Sequence, residues 1–82
     1  MPLDFSDDRI TLSGICPIEE AEPLLDALRR LATPRVDVAG LDHAHTAVLQ
    51  VLMACQARIL GTPTDAVTAA SLAGLPREEA AP

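Results

Sequence analysis

The sequence contains no lysine, tyrosine or tryptophan and only one phenylalanine among its 82 residues. A chain with so few aromatic side chains lacks the platforms on which bases and sugars stack. Six arginines stand against twelve acidic residues, and the net charge of −6 argues against binding to nucleic acid or to an anionic membrane. The 49% hydrophobic content is typical of a small globular domain. We therefore expect one domain that acts by contact with another protein.

Targeting and cross-linking signals are also missing. The two cysteines, Cys16 and Cys55, are far apart and match neither a disulfide framework nor a zinc motif. The acidic N-terminus lacks the pattern of a signal peptide, and the apolar stretch 47–55 is too short to cross a bilayer. These features predict a cytoplasmic protein without membrane insertion, whose thiols are free and act as small buried hydrophobes.

The first residues predict a β-hairpin. Leu3 and Phe5 alternate with polar neighbours, as do Ile10 and Leu12, and a polar turn separates the two pairs. The second strand is expected to end at Ser13-Gly14.

A helical period begins at Ile18. The predicted apolar stripe consists of Ile18, Ala21, Leu25, Leu28 and Leu31/Ala32, with Leu24 on its flank. Pro23 either kinks this helix or marks its start, near Glu22. A short strand follows over residues 35–39 and ends at Gly40. This order predicts a right-handed βαβ unit with parallel strands, and hence an α/β fold with a small mixed sheet.

The next helix is predicted over residues 45–60, with Gly61 as its cap. Its core face consists of Val48, Leu52, Cys55 and Ile59, flanked by Leu49 and Val51. The opposite stripe consists of Thr46, Gln50, Met53 and Ala57, with Ala47 and Ala54 alongside. No residue of this stripe is charged. Either another part of the chain covers it, or it is a surface on which a partner docks.

A third, short helix is predicted after Thr62, which would cap it, and is expected to reach about Leu75. With it, the domain has about three helices and spans residues 1–75. Residues 76–82 are expected to form a flexible tail.

Few residues suggest chemistry. His43 and His45, beside Asp42, could belong to a metal site, but histidines in a loop at a helix entrance are the favoured interpretation. The acids Glu19, Glu20 and Glu22 fit a solvated helix face better than a catalytic pair. No nucleophile motif or phosphate-binding loop is present. The sequence therefore predicts no enzyme, metal or cofactor.

Thr46 stands at the start of the second helix. Its hydroxyl could cap the helix, which is the favoured role. The same position suits a phosphate, because the unpaired N–H groups and the helix dipole both favour negative charge.

Residues 10–14, the first helix, residues 36–41 and residues 45–52 together resemble a STAS domain, the fold of anti-sigma-factor antagonists and of the sulphate-transporter tail. Asp37 matches the acid of the family's Asp-Leu-Ser segment, and Thr46 matches its first hydroxyl position. Ala47 stands where phosphorylated members carry their acceptor serine. His45, Ala39 and Val48 replace the family's loop Asp, strand-end Ser and Gly, respectively.

The Thr-Ala pair is similar to that of chemotaxis-linked and lipid-transport-linked STAS proteins, in which the threonine contributes to docking on a partner. The resemblance covers residues 8–60, and little after Leu60 could supply the family's last strand and helix. Such a shortened sheet would leave an edge uncovered, which favours dimerisation or pairing with a partner.

The leading hypothesis is a non-catalytic interaction module that docks a regulatory kinase, an anti-sigma factor, or a chemotaxis or transporter component. The predicted binding residues are Asp42, His43, His45, Thr46, Gln50 and Met53. One alternative is a switch phosphorylated at Thr46 by a Ser/Thr kinase. Another is a structural homodimer whose seam is the uncharged stripe.

Overall fold

A computed structural model describes residues 3–6 and 8–77, and these residues form an α/β fold around a four-stranded mixed sheet. The strands are β1 (Leu3–Phe5), β2 (Ile10–Cys16), β3 (Arg35–Ala44) and β4 (Arg58–Leu60), in that order across the sheet. The helices are α1 (Ala21–Arg30), α2 (Thr46–Ala54) and α3 (Ala66–Ser71), with a 3₁₀ turn (Ile18–Glu20) before α1. β1 runs antiparallel to β2, and the other neighbours are parallel. The predicted fold class is confirmed.

Both the hairpin and the parallel βαβ unit are confirmed, but β2 does not end at Gly14. It continues to Cys16, because β3 also extends and offers it further partners at His43 and Ala44. Gly14 has a φ of +62°, a left-handed conformation that glycine adopts without a steric penalty.

β3 is twice as long as predicted, and it does not end at Gly40. Its register against β2 shifts at two points, and at each point β3 carries one extra residue. Such bulges re-aim the side chains that follow them. They keep Leu41 and Ala44 in the core, while Asp42 and His43, predicted in a loop, are exposed strand residues.

The core lies between the sheet and the helices α1 and α2, which pack against each other. Successive right-handed crossovers to neighbouring strands place these helices on the same face. The largest fully buried side chains of the sheet are Ile10, Leu12, Val36, Val38, Leu41 and Ile59, and those of α1 and α2 are Leu24, Leu28, Val48 and Leu52.

The apolar stripe of α1 is displaced from its predicted position. Leu24 is fully buried, Leu25 is half-buried, and Ile18 is 53% exposed. The cause is the 3₁₀ turn, whose tighter winding breaks the helical period between Ile18 and the rest of the stripe. Pro23 is the third residue of α1, where a backbone N–H has no partner within the helix, so it costs no hydrogen bond there.

The second helix is shorter than predicted, since α2 ends at Ala54. Gln56 adopts a left-handed φ of +53°. Its N–H donates to the carbonyl of Met53 at 3.1 Å, and the Ala57 N–H donates to that of Leu52 at 3.0 Å. This pair of bonds is a Schellman motif, which terminates the helix. The chain then enters β4, so Ile59 is a core residue of a strand and Gly61 caps no helix.

Gln56→Gly is expected to raise the free energy of unfolding by about 0.5–1 kcal/mol, because glycine has no Cβ to resist the left-handed conformation. Urea unfolding followed by circular dichroism measures the change. Gln56→Ala is the matched control, since it removes the amide but keeps the Cβ, and we expect almost no change from it. A loss of stability in the glycine variant would contradict this helix end.

The C-terminal part differs from its prediction in detail. Asp65, not Thr62, caps α3, and Leu72 and Leu75 join the core. Arg77 bridges Ile59 in parallel, and the Ile59 N–H donates to the carbonyl of Pro76 at 2.9 Å. This bridge therefore occupies part of the free edge of β4. The rest of the predicted tail, residues 78–82, lies outside the described residues.

Candidate functional site

The second helix begins directly above the carboxyl ends of the two central strands. Cys16 and Ala44 end β2 and β3 as paired residues, and the His45 N–H donates to the Cys16 carbonyl at 2.9 Å. The 3₁₀ turn after β2 packs against α2. The binding residues predicted from the sequence all lie here; they are Asp42, His43, His45, Thr46, Gln50 and Met53. This carboxyl edge, with α2, is the candidate site.

His45 is the cap of α2, a role that the sequence analysis gave to Thr46. Its backbone is extended, and its Nδ1 accepts the N–H of Ala47 at 3.0 Å. This bond requires an unprotonated Nδ1, so the imidazole proton lies on Nε2. Thr46 is instead the first helical residue. Its side chain is exposed, and its hydroxyl makes no hydrogen bond to another described residue.

Asp42 and His43 lie at the end of β3, beside the start of α3. The Thr64 hydroxyl donates to Asp42 Oδ1 at 2.7 Å, and the Thr64 N–H donates to the Leu41 carbonyl at 3.0 Å. These bonds fasten the loop after β4 to β3. Asp42 therefore has a structural role as well as its predicted place in the binding surface.

Asp65 is a neighbour of this edge that was not predicted from the sequence. Its carboxylate accepts the Thr68 N–H at 2.8 Å and the Thr68 hydroxyl at 3.0 Å. These bonds hold the pKa of Asp65 below its ordinary value, and the electrostatic interaction with nearby His43 lowers the pKa further. Only the folded chain brings α3 alongside β3.

The uncharged stripe on α2 is open. Thr46, Gln50 and Met53, which we call the neutral stripe, are all exposed, and Met53 retains 42% of its accessible surface. No element within residues 3–6 and 8–77 covers them. Ala57, predicted on the same stripe, is buried beyond the end of the helix.

Two exposed isoleucines lie near the carboxyl edge. Ile15, opposite His43, is 67% exposed, and Ile18, in the 3₁₀ turn, is 53% exposed. Ile15 was not predicted at this edge because the strand was expected to end before it, and Ile18 was predicted in the core.

The arginines are concentrated at one end of the sheet. Glu19 and Glu20 stand beside the isoleucines at the carboxyl edge. The six arginines precede or begin strands, end α1, or pair with β4, so their backbones lie toward the opposite edge. They are Arg9, Arg29, Arg30, Arg35, Arg58 and Arg77. The carboxyl edge is therefore acidic as well as partly apolar.

No group of three or more His, Cys, Asp or Glu side chains in the described ranges could hold a metal ion. Cys16 and Cys55 are free thiols, the first buried and the second half-buried. Burial raises the pKa of the Cys16 thiol, and the charge of Glu20 raises it further. Cys16 is therefore a protonated core residue, as predicted. Among the described helices, none is long and apolar enough to cross a membrane.

Comparison with protein-family models, with curated proteins and with solved structures found no match to this chain. The function of this chain is therefore inferred from the residues of the carboxyl edge.

Proposed function

We propose that this chain is a non-catalytic protein–protein interaction module of the STAS type, which docks a partner at its carboxyl edge. The observation that carries the proposal is the exposure of the neutral stripe, Thr46, Gln50 and Met53, in a protein of net charge −6. An uncharged, partly apolar helix face loses little hydration when another protein covers it. The methionine can adapt its shape to the partner.

The STAS assignment is supported by the strand order and by the places of two residues. An antiparallel hairpin strand followed by parallel strands is the arrangement that the resemblance implies. Asp37, the counterpart of the family's acid, accepts the Ala39 N–H at 3.0 Å beside the first bulge of β3. Thr46 opens α2, where the resemblance places a docking hydroxyl.

The proposed binding surface combines the neutral stripe with Asp42, His43 and His45. Ile18 extends it across the 3₁₀ turn, which packs against α2. Apolar contacts would supply most of the affinity, and the surrounding acids would favour a partner with a basic rim. A regulatory kinase, an anti-sigma factor, or a chemotaxis or transporter component could each present such a surface.

Thr46→Glu and Met53→Asp are each expected to weaken partner capture by about tenfold or more, because each would bury an unpaired carboxylate at the contact. Affinity purification from the native cell with quantitative mass spectrometry measures the capture, and circular dichroism checks the fold. Val67→Asp is the matched control, since Val67 is 74% exposed but lies on α3. If both variants retain the partners of the unaltered protein, the neutral stripe is not the docking surface.

The alternative of a phosphorylated switch is supported by one feature. Since His45 caps α2, the Thr46 hydroxyl is exposed and free for modification. A phosphate there would lie at the positive end of the α2 helix dipole. Intact-mass spectrometry of the protein from its native cell would then show an added mass of about 80 Da at Thr46. Phosphorylation confined to other residues would contradict the switch.

A further inference from the structure

A second surface lies on the opposite side of α1 from α2. A groove of about 400 Å³ opens there between α1 and the edge of the sheet. Its walls include Phe5, Pro23, Asp26, Ala27, Arg30 and Leu31.

The groove exposes the sole aromatic residue of the chain. Phe5 ends the edge strand β1 and keeps 56% of its surface accessible, although its alternate neighbour Leu3 is buried. A large exposed aromatic side chain beside an apolar groove is typical of a contact surface.

Asp26 and Arg30 place opposite charges along one rim of the groove. They are four residues apart on α1, a spacing that allows an ion pair. Neither is in an ion pair with a described residue; the pair found in residues 3–6 and 8–77 joins Arg35 to Asp8 at 3.3 Å. Both charges are therefore free to meet opposite charges on another molecule.

This rim is complementary to itself. When two copies of α1 pack antiparallel about a two-fold axis near Ala27 and Leu28, Asp26 of each copy faces Arg30 of the other. A two-fold contact uses the same patch on both molecules, so each favourable pair occurs twice. The small side chain of Ala27 at the axis allows the helices to approach closely.

We propose that this groove is the seam of a homodimer in which the α1 helices of two copies pack antiparallel. The second copy covers Phe5 and the apolar floor, and the two Asp26–Arg30 pairs fix the register. The seam does not include the neutral stripe, so a dimer could still dock partners at its carboxyl edges. This inference does not depend on the proposed function.

Sedimentation velocity of the full chain over a wide concentration range tests the seam. We expect the mass to rise from 8.6 kDa toward twice that value as concentration increases. Asp26→Arg and Arg30→Asp should each raise the dimer dissociation constant about tenfold or more, because each places like charges opposite one another at two symmetric points. The double variant Asp26→Arg/Arg30→Asp restores opposite charges and should recover most of the affinity.

The controls separate this contact from general charge effects. Asp26→Arg makes the net charge less negative and Arg30→Asp makes it more negative, yet both should weaken the dimer. Arg29→Asp makes the same charge change as Arg30→Asp in the same helical turn, but Arg29 does not line the groove, and this variant should dimerise normally. Circular dichroism confirms that each variant is folded.

Three outcomes would overturn the seam. The first is an unaltered protein that stays monomeric at every concentration. The second is a double variant as weak as its parents. The third is a dimer that Met53→Asp disrupts and the charge variants do not, which would place the seam at the neutral stripe.

Discussion

Replacing Gly61 with alanine is expected to lower the free energy of unfolding by about 3 kcal/mol or more. Gly61 has a φ of +78°, and a Cβ there would lie 2.7 Å from the Cβ of Ala39 and 3.0 Å from its Cα. Alanine would therefore suffer both an unfavourable backbone conformation and a clash with β3. Urea unfolding followed by far-UV circular dichroism measures the loss, since the chain has no tryptophan for fluorescence.

The other glycines provide graded controls. Gly14 has a φ of +62° but open space where a Cβ would lie. Gly14→Ala should therefore lower the free energy of unfolding only through the unfavourable backbone conformation, by about 1 kcal/mol. Gly74 has open space and no left-handed φ, so Gly74→Ala should change stability by less than about 0.5 kcal/mol. A Gly61→Ala variant no less stable than Gly14→Ala would show that the close approach to Ala39 does not exist.

The close approach at Gly61 also bears on the candidate site. It seats the loop after β4 against β3, and this loop carries Thr64, which bonds Asp42, and Asp65, which lies near His43. The requirement for glycine could be suspected from the sequence, where Gly61 was assigned to a helix end. Its actual cause is a neighbouring strand, and a contact between distant residues leaves no local pattern in the sequence.

The parts of the fold with a repeating local pattern were predictable. Alternation by two identified β1 and the start of β2, and the helical period identified α1 and α2. β4 was not predictable, because its three residues lie within a continued helical period and neither glycine nor proline marks the end of α2. The left-handed Gln56 supplies that end.

The candidate site divides in the same way. The helical period alone placed Thr46, Gln50 and Met53 on one face, opposite the buried Val48 and Leu52. It could not locate Ile15, Ile18 or Asp65 at the carboxyl edge. Their positions depend on the extended β3, on the 3₁₀ turn and on the packing of α3, and each arises from contacts between distant parts of the chain.

Leu24→Ala is expected to lower the free energy of unfolding by about 3 kcal/mol, whereas Leu25→Ala should cost about 1 kcal/mol. Leu24 is fully buried between the sheet and the helices, and removing its side chain leaves a cavity; Leu25 is half-buried at the margin. If the apolar stripe continued without interruption from Ile18, its centre would be Leu25. The Leu25→Ala variant would then lose more stability than the Leu24→Ala variant.

The pair is well matched, because both variants remove the same atoms from adjacent positions of α1 with the same helix propensity. Chemical unfolding of the two proteins under one condition gives the difference directly. A domain of this size has a total stability of about 5–10 kcal/mol, and each kcal/mol lost lowers the melting temperature by roughly 4–8 °C. Leu24→Ala should therefore also lower the melting temperature by more than about 10 °C. If Leu25→Ala lowered the free energy of unfolding more than Leu24→Ala, α1 would be rotated about its axis. That rotation would also move Asp26 and Arg30 away from the groove, and the dimer seam would lose its basis.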